Sequence, residues 1–353
     1  MASPIPEWHN PDQQTFEREV LAARRPAVLR GVASQWPLVQ KGLASASDAM
    51  LYLQLLNPGT EVEYLTGEPA IGGRYFYNEA FSGFNFRRAR APFGHVMGLL
   101  REALAQPAAP ALSIQALGCP THLPGLDQQN RVPFAPPGTA PTVWIGNQGM
   151  VAAHCDGSEN VACVAVGRRR FTLFPPEQLE NLYIGPLHSA PQGAPISLVD
   201  VANPDLGRFP RFTQAWEAAQ EAELGPGDAI YIPYMWWHSV RSLERFNVLV
   251  NYWWRDGTRS NSEPFTALMH AALAIGTLSS EQRAVWRHYF EYFVFRGHGD
   301  PADYLPESAR GVLGQLTPQE FESMMIKLIQ VLVGERPAAT QRQLAATLAP
   351  PPR

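Results

Sequence analysis

The sequence predicts a mainly β fold with appended helices, and three observations support this fold class. Short apolar runs, rich in β-branched and aromatic residues, follow one another between about residues 140 and 255. Turn-forming glycines and prolines separate these runs. After about residue 262 the apolar residues recur at helical spacing instead. Many short strands with such punctuation are typical of a sandwich or barrel, and a double-sheet jelly roll is one candidate.

The predicted strands can be placed in chain order. A first strand near the N-terminus, PAVLRGV, follows an amphipathic segment that begins at Asp12. Five runs in the central region predict further strands: TVWIG (142–146), NVACVAV (160–166), FTLF (171–174), AIYI (229–232) and FNVLVNYWW (246–254). Turns are expected between them at Gly167, at Pro175-Pro176 and over residues 225–228.

Three segments predict helices near the C-terminal end: EPFTALMHAALAIG, SSEQRAVWRHYFEYFVF and TPQEFESMMIKLIQVLVG. The last begins at Thr317, a residue suited to an N-cap, followed by Pro318 at the first helical position. Its apolar residues form a one-sided stripe: Phe321, Met324, Met325, Leu328, Ile329 and Leu332. Such a stripe predicts either packing onto the β-core or a homodimer interface.

These patterns divide the chain into three parts. Residues 1–262 are expected to form the jelly-roll domain, with helical and strand additions at its N-terminal end. Residues 263–335 are expected to form a helical region, and residues 336–353 a disordered tail. A chain of 353 residues with 45% hydrophobic residues is long enough for a substantial core.

Charge and cysteine content exclude several classes of protein. A net charge of -4 argues against an extended nucleic-acid-binding surface, which normally needs a basic face. The run Arg168-Arg169-Arg170 leaves a confined RNA contact open. Cys119, Cys155 and Cys163 form no CxxC pair, and an odd number is a poor basis for a disulfide framework. No signal peptide or membrane span is evident, so we expect a soluble, cytoplasmic protein.

The segment VAAHCDGSEN contains the first candidate metal ligands. In a strand, residues i and i+2 point to the same face, so His154 and Asp156 should project together. Cys155, an alternative soft ligand for zinc, should then face away. His238 is the candidate for a third ligand, because it ends a turn, strand and aromatic cluster, GPGDAIYIPYMWWH. His154 and His238 are 84 positions apart, which allows a later strand to return beside the first.

Several motifs occur in one order: HCD, Asn160, VGRRRFTLFPPEQLENLY, GPGDAIYIPYMWWHSV and VNYWW. Together they resemble the JmjC hydroxylases, especially the branch containing the asparaginyl hydroxylase that inhibits the hypoxia-inducible factor. The resemblance is dense between about Trp144 and Trp254. It implies a double-stranded β-helix, the cupin jelly roll, and an oxygenase dependent on Fe(II), 2-oxoglutarate and O₂.

The resemblance also implies roles for particular residues. His154, Asp156 and His238 would form the two-histidine, one-carboxylate triad that holds iron and leaves positions open for cosubstrate and O₂. Asn160, Asn251 and Trp253 match residues that line the cosubstrate pocket. In the family a lysine binds the distal carboxylate of 2-oxoglutarate, and here the matching residue is Arg169.

Arginine is a sensible replacement there, because a guanidinium binds a carboxylate through two parallel hydrogen bonds. By strand alternation Arg169 should face inward, with Arg168 and Arg170 outward. The alternative is that all three arginines form a solvated run. Two other family donors are also replaced, a threonine by Val151 and a tyrosine by Ser113. These changes predict weaker 2-oxoglutarate binding, a different set of anchors, or a different acid.

Three functions are therefore compatible with the sequence. The first is an Fe(II)- and 2-oxoglutarate-dependent oxygenase that hydroxylates a protein side chain or a small molecule and releases succinate and CO₂. The second is an RNA-modifying hydroxylase acting on a tRNA base, against which the acidic net charge argues. The third is a cupin that binds metal without oxygenase chemistry.

Overall fold

The computed structural model describes residues 2–191, 193–255, 264–334 and 339–341. The chain divides into two compact units, residues 1–259 and residues 260–353. The predicted boundary at residue 262 lies outside the described residues, as does the predicted tail apart from residues 339–341.

Short strands dominate the described part of the first unit. In chain order they are β1 (Ser3–Pro4), β2 (Glu7–His9), β3 (Ala27–Arg30), β4 (Glu61–Gly67), β5 (Arg87–Pro92), β6 (Ala111–Gly118), β7 (Thr142–Gly146), β8 (Gly149–His154), β9 (Glu159–Val166), β10 (Arg169–Phe174), β11 (Gln220–Leu224), β12 (Ala229–Ile232), β13 (Trp237–Ser242) and β14 (Asn247–Trp254). The predicted runs TVWIG and AIYI coincide with β7 and β12.

The strands form two sheets. One has the order β1-β11-β10-β13-β8, and the other has the order β2-β3-β12-β9-β14-β7-β6-β4-β5. Pairing is antiparallel throughout the centres of both sheets, as in β10 with β13 and β9 with β14. Non-consecutive neighbours show that the chain crosses repeatedly between sheets. The predicted mainly β fold with a double-sheet jelly-roll core is confirmed.

The interior between the sheets is lined by both. One apolar cluster joins Ala162, Val164 and Leu249 from the nine-stranded sheet with Phe171 and Leu173 from the five-stranded sheet. Because side chains alternate along a strand, every second residue of β9, β10 and β14 faces this interior. β9 is buried along its whole length, since a second apolar cluster covers its other face.

Helices of the first unit cover that outer face, and the second unit contains further helices. In the first unit they are α1 (Gln13–Thr15), α2 (Pro37–Ala44), α3 (Ala46–Leu56), α4 (Phe93–Ala105), α5 (Cys119–His122), α6 (Leu126–Gln129) and α7 (Phe212–Glu217). In the second they are α8 (Pro264–Ala274), α9 (Ser280–Tyr289) and α10 (Pro318–Gly334). The three helices predicted at the C-terminal end are thus present.

The sequence at the start of α10 explains where that helix begins. The Thr317 hydroxyl accepts a hydrogen bond from the backbone N–H of Glu320 at 3.3 Å. The Glu320 carboxylate accepts in return from the backbone N–H of Thr317 at 2.8 Å. This reciprocal capping box satisfies N–H groups that a helix leaves unpaired, as the Thr-Pro pattern predicted. Among the described helices, none is long and apolar enough to cross a bilayer.

Candidate metal centre and adjoining pocket

The three predicted ligand residues converge at one end of the five-stranded sheet. His154 ends β8, and its cross-strand partner in β13 is His238. Asp156 completes the cluster, with Nε2 of His154 3.9 Å from one carboxylate oxygen and Nε2 of His238 3.7 Å from the other. One ligand atom from each residue lies within 4.8 Å of the others, and within the described part of the chain no other group of His, Cys, Asp and Glu converges in this way.

The local backbone differs from the expectation of a continuous strand through HCD. β8 ends at His154, so Asp156 lies in the loop that follows it. The carbonyl oxygen of Asp156 accepts a hydrogen bond from the N–H of Met235 at 3.0 Å, which ties that loop to the turn before β13. The assumption of strand alternation was therefore wrong at Asp156, although its carboxylate still meets the histidines.

A β-bulge helps to aim His154. Between the pairs His154–His238 and Val151–Val240, two residues of β8 oppose the single residue Ser239 of β13. An extra residue of this kind bends a strand and redirects its side chains. Bulges of this type were not foreseeable from alternating hydrophobicity, because VAAH reads as an ordinary buried strand.

Both histidines have their tautomer set by the backbone. Nδ1 of His154 lies 3.0 Å from the carbonyl oxygen of Ala152, and Nδ1 of His238 lies 3.0 Å from that of Trp236. A carbonyl can only accept, so each Nδ1 must carry the proton. The Nε2 lone pairs are then free and directed at the cluster, which is how metal-binding histidines are oriented.

Burial also keeps His238 neutral. Its side chain is 4% exposed. Desolvation is the main cause that lowers the pKa of His238 to about 4, and the neighbouring His154 lowers it further. A metal ligand must be deprotonated, so this histidine is ready to bind a cation at neutral pH without first losing a proton.

The carboxylate of Asp156 is positioned by an indole. Nε1 of Trp253, in β14, donates a hydrogen bond to Oδ2 of Asp156 at 3.2 Å. Trp144, in β7, packs edge-on against Trp253 at a centroid distance of 6.1 Å and an angle of 80°. Trp253, predicted as a pocket aromatic, therefore also contacts a candidate ligand directly.

Cys155 lies outside the ligand set. Its side chain packs beside Ala153 in an apolar cluster on the far side of β8. Burial, together with the nearby Asp156, raises the pKa of the Cys155 thiol to about 12. A neutral thiol that faces away from the histidines is a poor ligand for zinc.

The structure places Arg169 inside the jelly roll. It is 6% exposed and lies on the same face of β10 as Phe171 and Leu173. Its Nε is buried without a hydrogen-bond partner among the described residues. Desolvation lowers the pKa of Arg169 to about 10, so the group still carries its charge at neutral pH.

Arg168 and Arg170 have the opposite orientation. Both are exposed, and both pair with Glu223, at 2.7 and 3.3 Å. Arg168 also pairs with Glu244 at 2.8 Å. The predicted alternation of the three arginines is therefore present, and the alternative of a wholly solvated run is wrong.

Two amides line the same interior. Nδ2 of Asn251, in β14, donates to Oδ1 of Asn160, in β9, at 2.9 Å. Oδ1 of Asn251 and Nε1 of Trp144 are both buried without a partner among the described residues. Together with Nε of Arg169, these atoms form a set of unsatisfied polar groups, and buried polar groups are normally hydrogen-bonded. The set fits an acidic, hydrogen-bonding small molecule.

Trp144 is the pocket residue that the sequence did not single out. It lies in the run TVWIG, where an aromatic residue is ordinary core material, and its orphaned N–H depends on the register of β7 against β14. The two residues that stand in place of family hydrogen-bond donors lie nearby in the fold. Val151 packs against the interior cluster, and Ser113 is half-buried in β6 opposite Gly146.

The fold and the site together define a class of protein, a jelly-roll cupin with a His-x-Asp pair at the end of one strand and a distal histidine on the neighbouring strand. The chain belongs to the cupin-like domain family, whose sequence profile matches residues 13–260.

Curated relatives agree with this assignment. The lysine-specific demethylase JMJ31 of Arabidopsis thaliana is 36% identical over 119 residues, which cover 33% of this chain and 21% of that protein. Lysine-specific demethylase 8 of Xenopus tropicalis is 26% identical over 262 residues, covering 71% and 52% respectively. The human bifunctional peptidase and (3S)-lysyl hydroxylase JMJD7 is 25% identical over 267 residues, covering 68% and 80%.

The chain spans about half or less of the first two relatives' own length. The predicted membership of the JmjC-type cupins, a family of oxygenases that use Fe(II) and 2-oxoglutarate, is confirmed by the family match and these relatives.

Proposed function

We propose that this protein is an Fe(II)- and 2-oxoglutarate-dependent oxygenase that hydroxylates a protein side chain or a small molecule and releases succinate and CO₂. His154, Asp156 and His238 would hold the iron, which supplies the oxidative chemistry when O₂ and 2-oxoglutarate are present. Two neutral imidazoles and one carboxylate suit Fe(II) and leave coordination positions for other ligands.

The observation that carries this proposal is that the buried guanidinium of Arg169 has no ion-pair partner among the described residues. A buried cation is costly unless an anion accompanies it. Leu173 is opposite His238, and Arg169 is opposite Ser242, so both side chains of β10 share the face of the metal cluster. Arg169 and Leu173 are four residues apart along β10, so their backbones are separated by about 13 Å. A five-carbon dicarboxylate together with an arginine side chain can span that interval.

The remaining interior residues would hold the cosubstrate in place. We propose that Asn160 and Asn251 donate or accept hydrogen bonds along its length, and that Trp253 both walls the pocket and holds Asp156 in its ligating orientation. The apolar lining from Phe171 and Leu173 would exclude water from the reacting end.

A protein side chain is the favoured prime substrate. The relatives named above are described as lysine demethylases or a lysyl hydroxylase, whereas the net charge of -4 gives little support to a nucleic-acid substrate. The tRNA hydroxylase and the cupin without oxygenase chemistry remain the competing functions.

Succinate formation tests the proposal. Purified protein is incubated in air with Fe(II), ascorbate and 2-oxoglutarate, with and without cell lysate fractions, and succinate is measured by NMR. We expect succinate that requires both Fe(II) and 2-oxoglutarate and that disappears in Asp156→Ala. Nuclease-sensitive stimulation by lysate would favour an RNA substrate. Protease-sensitive stimulation, with a +16 Da peptide product, would favour a protein. Iron binding without any succinate would indicate a cupin of another chemistry.

A further inference from the structure

We propose that a groove on the outer face of the five-stranded sheet binds an organic anion, with its acid group at Arg241 and Arg170 and its apolar portion against Leu206 and Trp216. This site is separate from the interior pocket and is independent of the function proposed above.

The groove has a volume of about 470 Å³. Its floor is the solvent side of β8, β10, β11 and β13, opposite to the face that carries the metal cluster. Its wall is the segment 201–216, which includes α7. The floor residues are Met150, Arg170, Thr172, Glu221, Ser239 and Arg241. A volume in this range accommodates a small organic ligand.

Two arginines lie side by side in the floor, and nearby carboxylates do not fully neutralise their positive charges. Arg170 of β10 and Arg241 of β13 are directly opposite in the antiparallel register, and both are exposed. Like charges placed opposite each other destabilise a sheet. Arg170 shares Glu223 with Arg168, which is closer to that carboxylate, 2.7 Å against 3.3 Å. Within the described residues, Arg241 has no hydrogen bond or ion pair, so a bound anion would relieve this repulsion.

The single carboxylate in the floor lies away from Arg241. Glu221, in β11, is in register with Thr172 and not with the arginine pair. Its Oε1 accepts a hydrogen bond from the Thr172 hydroxyl at 2.6 Å. The groove floor is therefore positive at Arg170 and Arg241 and negative at Glu221. An acid group should bind at the β13 end.

The wall supplies an apolar surface for the rest of the ligand. Leu206 is 44% exposed although it lines the groove. Trp216 packs against the fully buried Phe212 at a centroid distance of 6.1 Å, which fixes the indole in place. A rigid aromatic and an exposed aliphatic side chain beside two guanidinium groups favour a ligand with an anionic head and an apolar body. Inorganic anions lack the apolar body.

A fluorescence titration with 8-anilinonaphthalene-1-sulfonate, an aromatic sulfonate, tests this site on the full chain. Arg241→Gln should raise the Kd about tenfold, as expected when one charge-assisted hydrogen bond worth about 1.5 kcal/mol is lost. Arg241→Lys should recover part of the affinity, and Trp216→Ala should weaken binding through the apolar half. Arg101→Gln is the control, because this exposed arginine lies on α4, which packs against β4 and β5 of the nine-stranded sheet, and it does not line the groove. The Kd of this variant should differ from that of the wild type by less than twofold.

Two further arms decide between this groove and other sites. Octanoate should displace the probe, whereas inorganic phosphate at the same concentration should not. Arg169→Gln should leave the Kd unchanged, since Arg169 faces the interior. An unchanged Kd in Arg241→Gln would overturn the proposal, as would equal losses in Arg241→Gln and Arg101→Gln or a loss confined to Arg169→Gln. Because neither Arg169 nor the metal ligands line the groove, these outcomes are distinguishable from a failure of the oxygenase proposal.

Discussion

The indole of Trp253 donates a hydrogen bond to Oδ2 of Asp156 at 3.2 Å. A residue of β14, in the nine-stranded sheet, thus positions a candidate metal ligand that follows β8, in the five-stranded sheet. Asp156 needs this support because it lies in a loop beyond the end of β8. Groups that orient a metal ligand typically contribute 10–100-fold to metal affinity.

Trp253→Phe removes the donor and keeps an aromatic ring in the same place. We expect the affinity for Fe(II), or for Co(II) as a spectroscopic substitute, to fall by about tenfold. Anaerobic metal titration measures this effect. Trp254→Phe is the matched control, because the adjacent side chain points to the opposite face of β14 and packs against the outer cluster. Equal affinities in the wild type and in Trp253→Phe would mean that the hydrogen bond does not position the ligand.

Removal of the ligands should abolish metal binding without unfolding the protein. Asp156 is 23% exposed, and its side chain contributes little to the apolar core. The double variant Asp156→Ala, His238→Ala should therefore lose stoichiometric metal in elemental analysis, while its circular dichroism spectrum remains that of the wild type. A folded double variant that still held one iron per chain would show that other residues form the site.

The thiol of Cys155 should be inert. With a pKa of about 12, a fraction of only about 10⁻⁴ is thiolate at pH 8, and the thiolate is the reactive form. We expect iodoacetamide to label Cys155 far more slowly in the folded protein than in urea, as read by mass spectrometry. Cys155→Ser should bind metal with unchanged affinity. A loss of affinity in this variant would make the sulfur a ligand.

Self-association through the apolar stripe of α10 remains a prediction. Its residues Leu328 and Ile329 are 49% and 50% exposed. A contiguous exposed apolar patch commonly marks an interaction site. We expect light scattering to give a dimer mass for the wild type and a monomer mass for Leu328→Asp, Ile329→Asp. A monomer mass for the wild type at all concentrations would exclude the homodimer.

The sequence predicted most of the fold, because the determinants were local. Runs such as AIYI have β-branched and aromatic residues bounded by turn residues, and the cap at Thr317 needs only its own first turn. The triad was also predictable, since HCD and the histidine of IPYMWWH have distinctive spacing and context.

The details that depend on register between distant strands were not predictable. The bulge in β8 arises from its pairing with β13, and the orphaned N–H of Trp144 arises from the pairing of β7 with β14. The hydrogen bond from Trp253 to Asp156 likewise joins elements 97 residues apart. The outward orientation of Arg241, opposite Arg170, likewise depends on the pairing of β13 with β10.

We propose that buried Arg169 binds the distal carboxylate of 2-oxoglutarate above an iron held by the triad. The direct measurement is an anaerobic titration of the Fe(II)-loaded protein with 2-oxoglutarate, followed by the visible absorption that arises when a 2-oxo acid chelates Fe(II). Breaking a buried charge pair costs about 3–5 kcal/mol, so Arg169→Ala should raise the Kd for 2-oxoglutarate by at least about a hundredfold.

Metal affinity should stay normal in that variant, and Arg169→Lys should recover part of the loss. Arg168→Ala and Arg170→Ala, whose side chains pair with Glu223 on the outside, should change the Kd less than twofold. This pattern is the result that the account predicts. A wild-type Kd in Arg169→Ala, or a loss that appears instead in Arg168→Ala or Arg170→Ala, would contradict it.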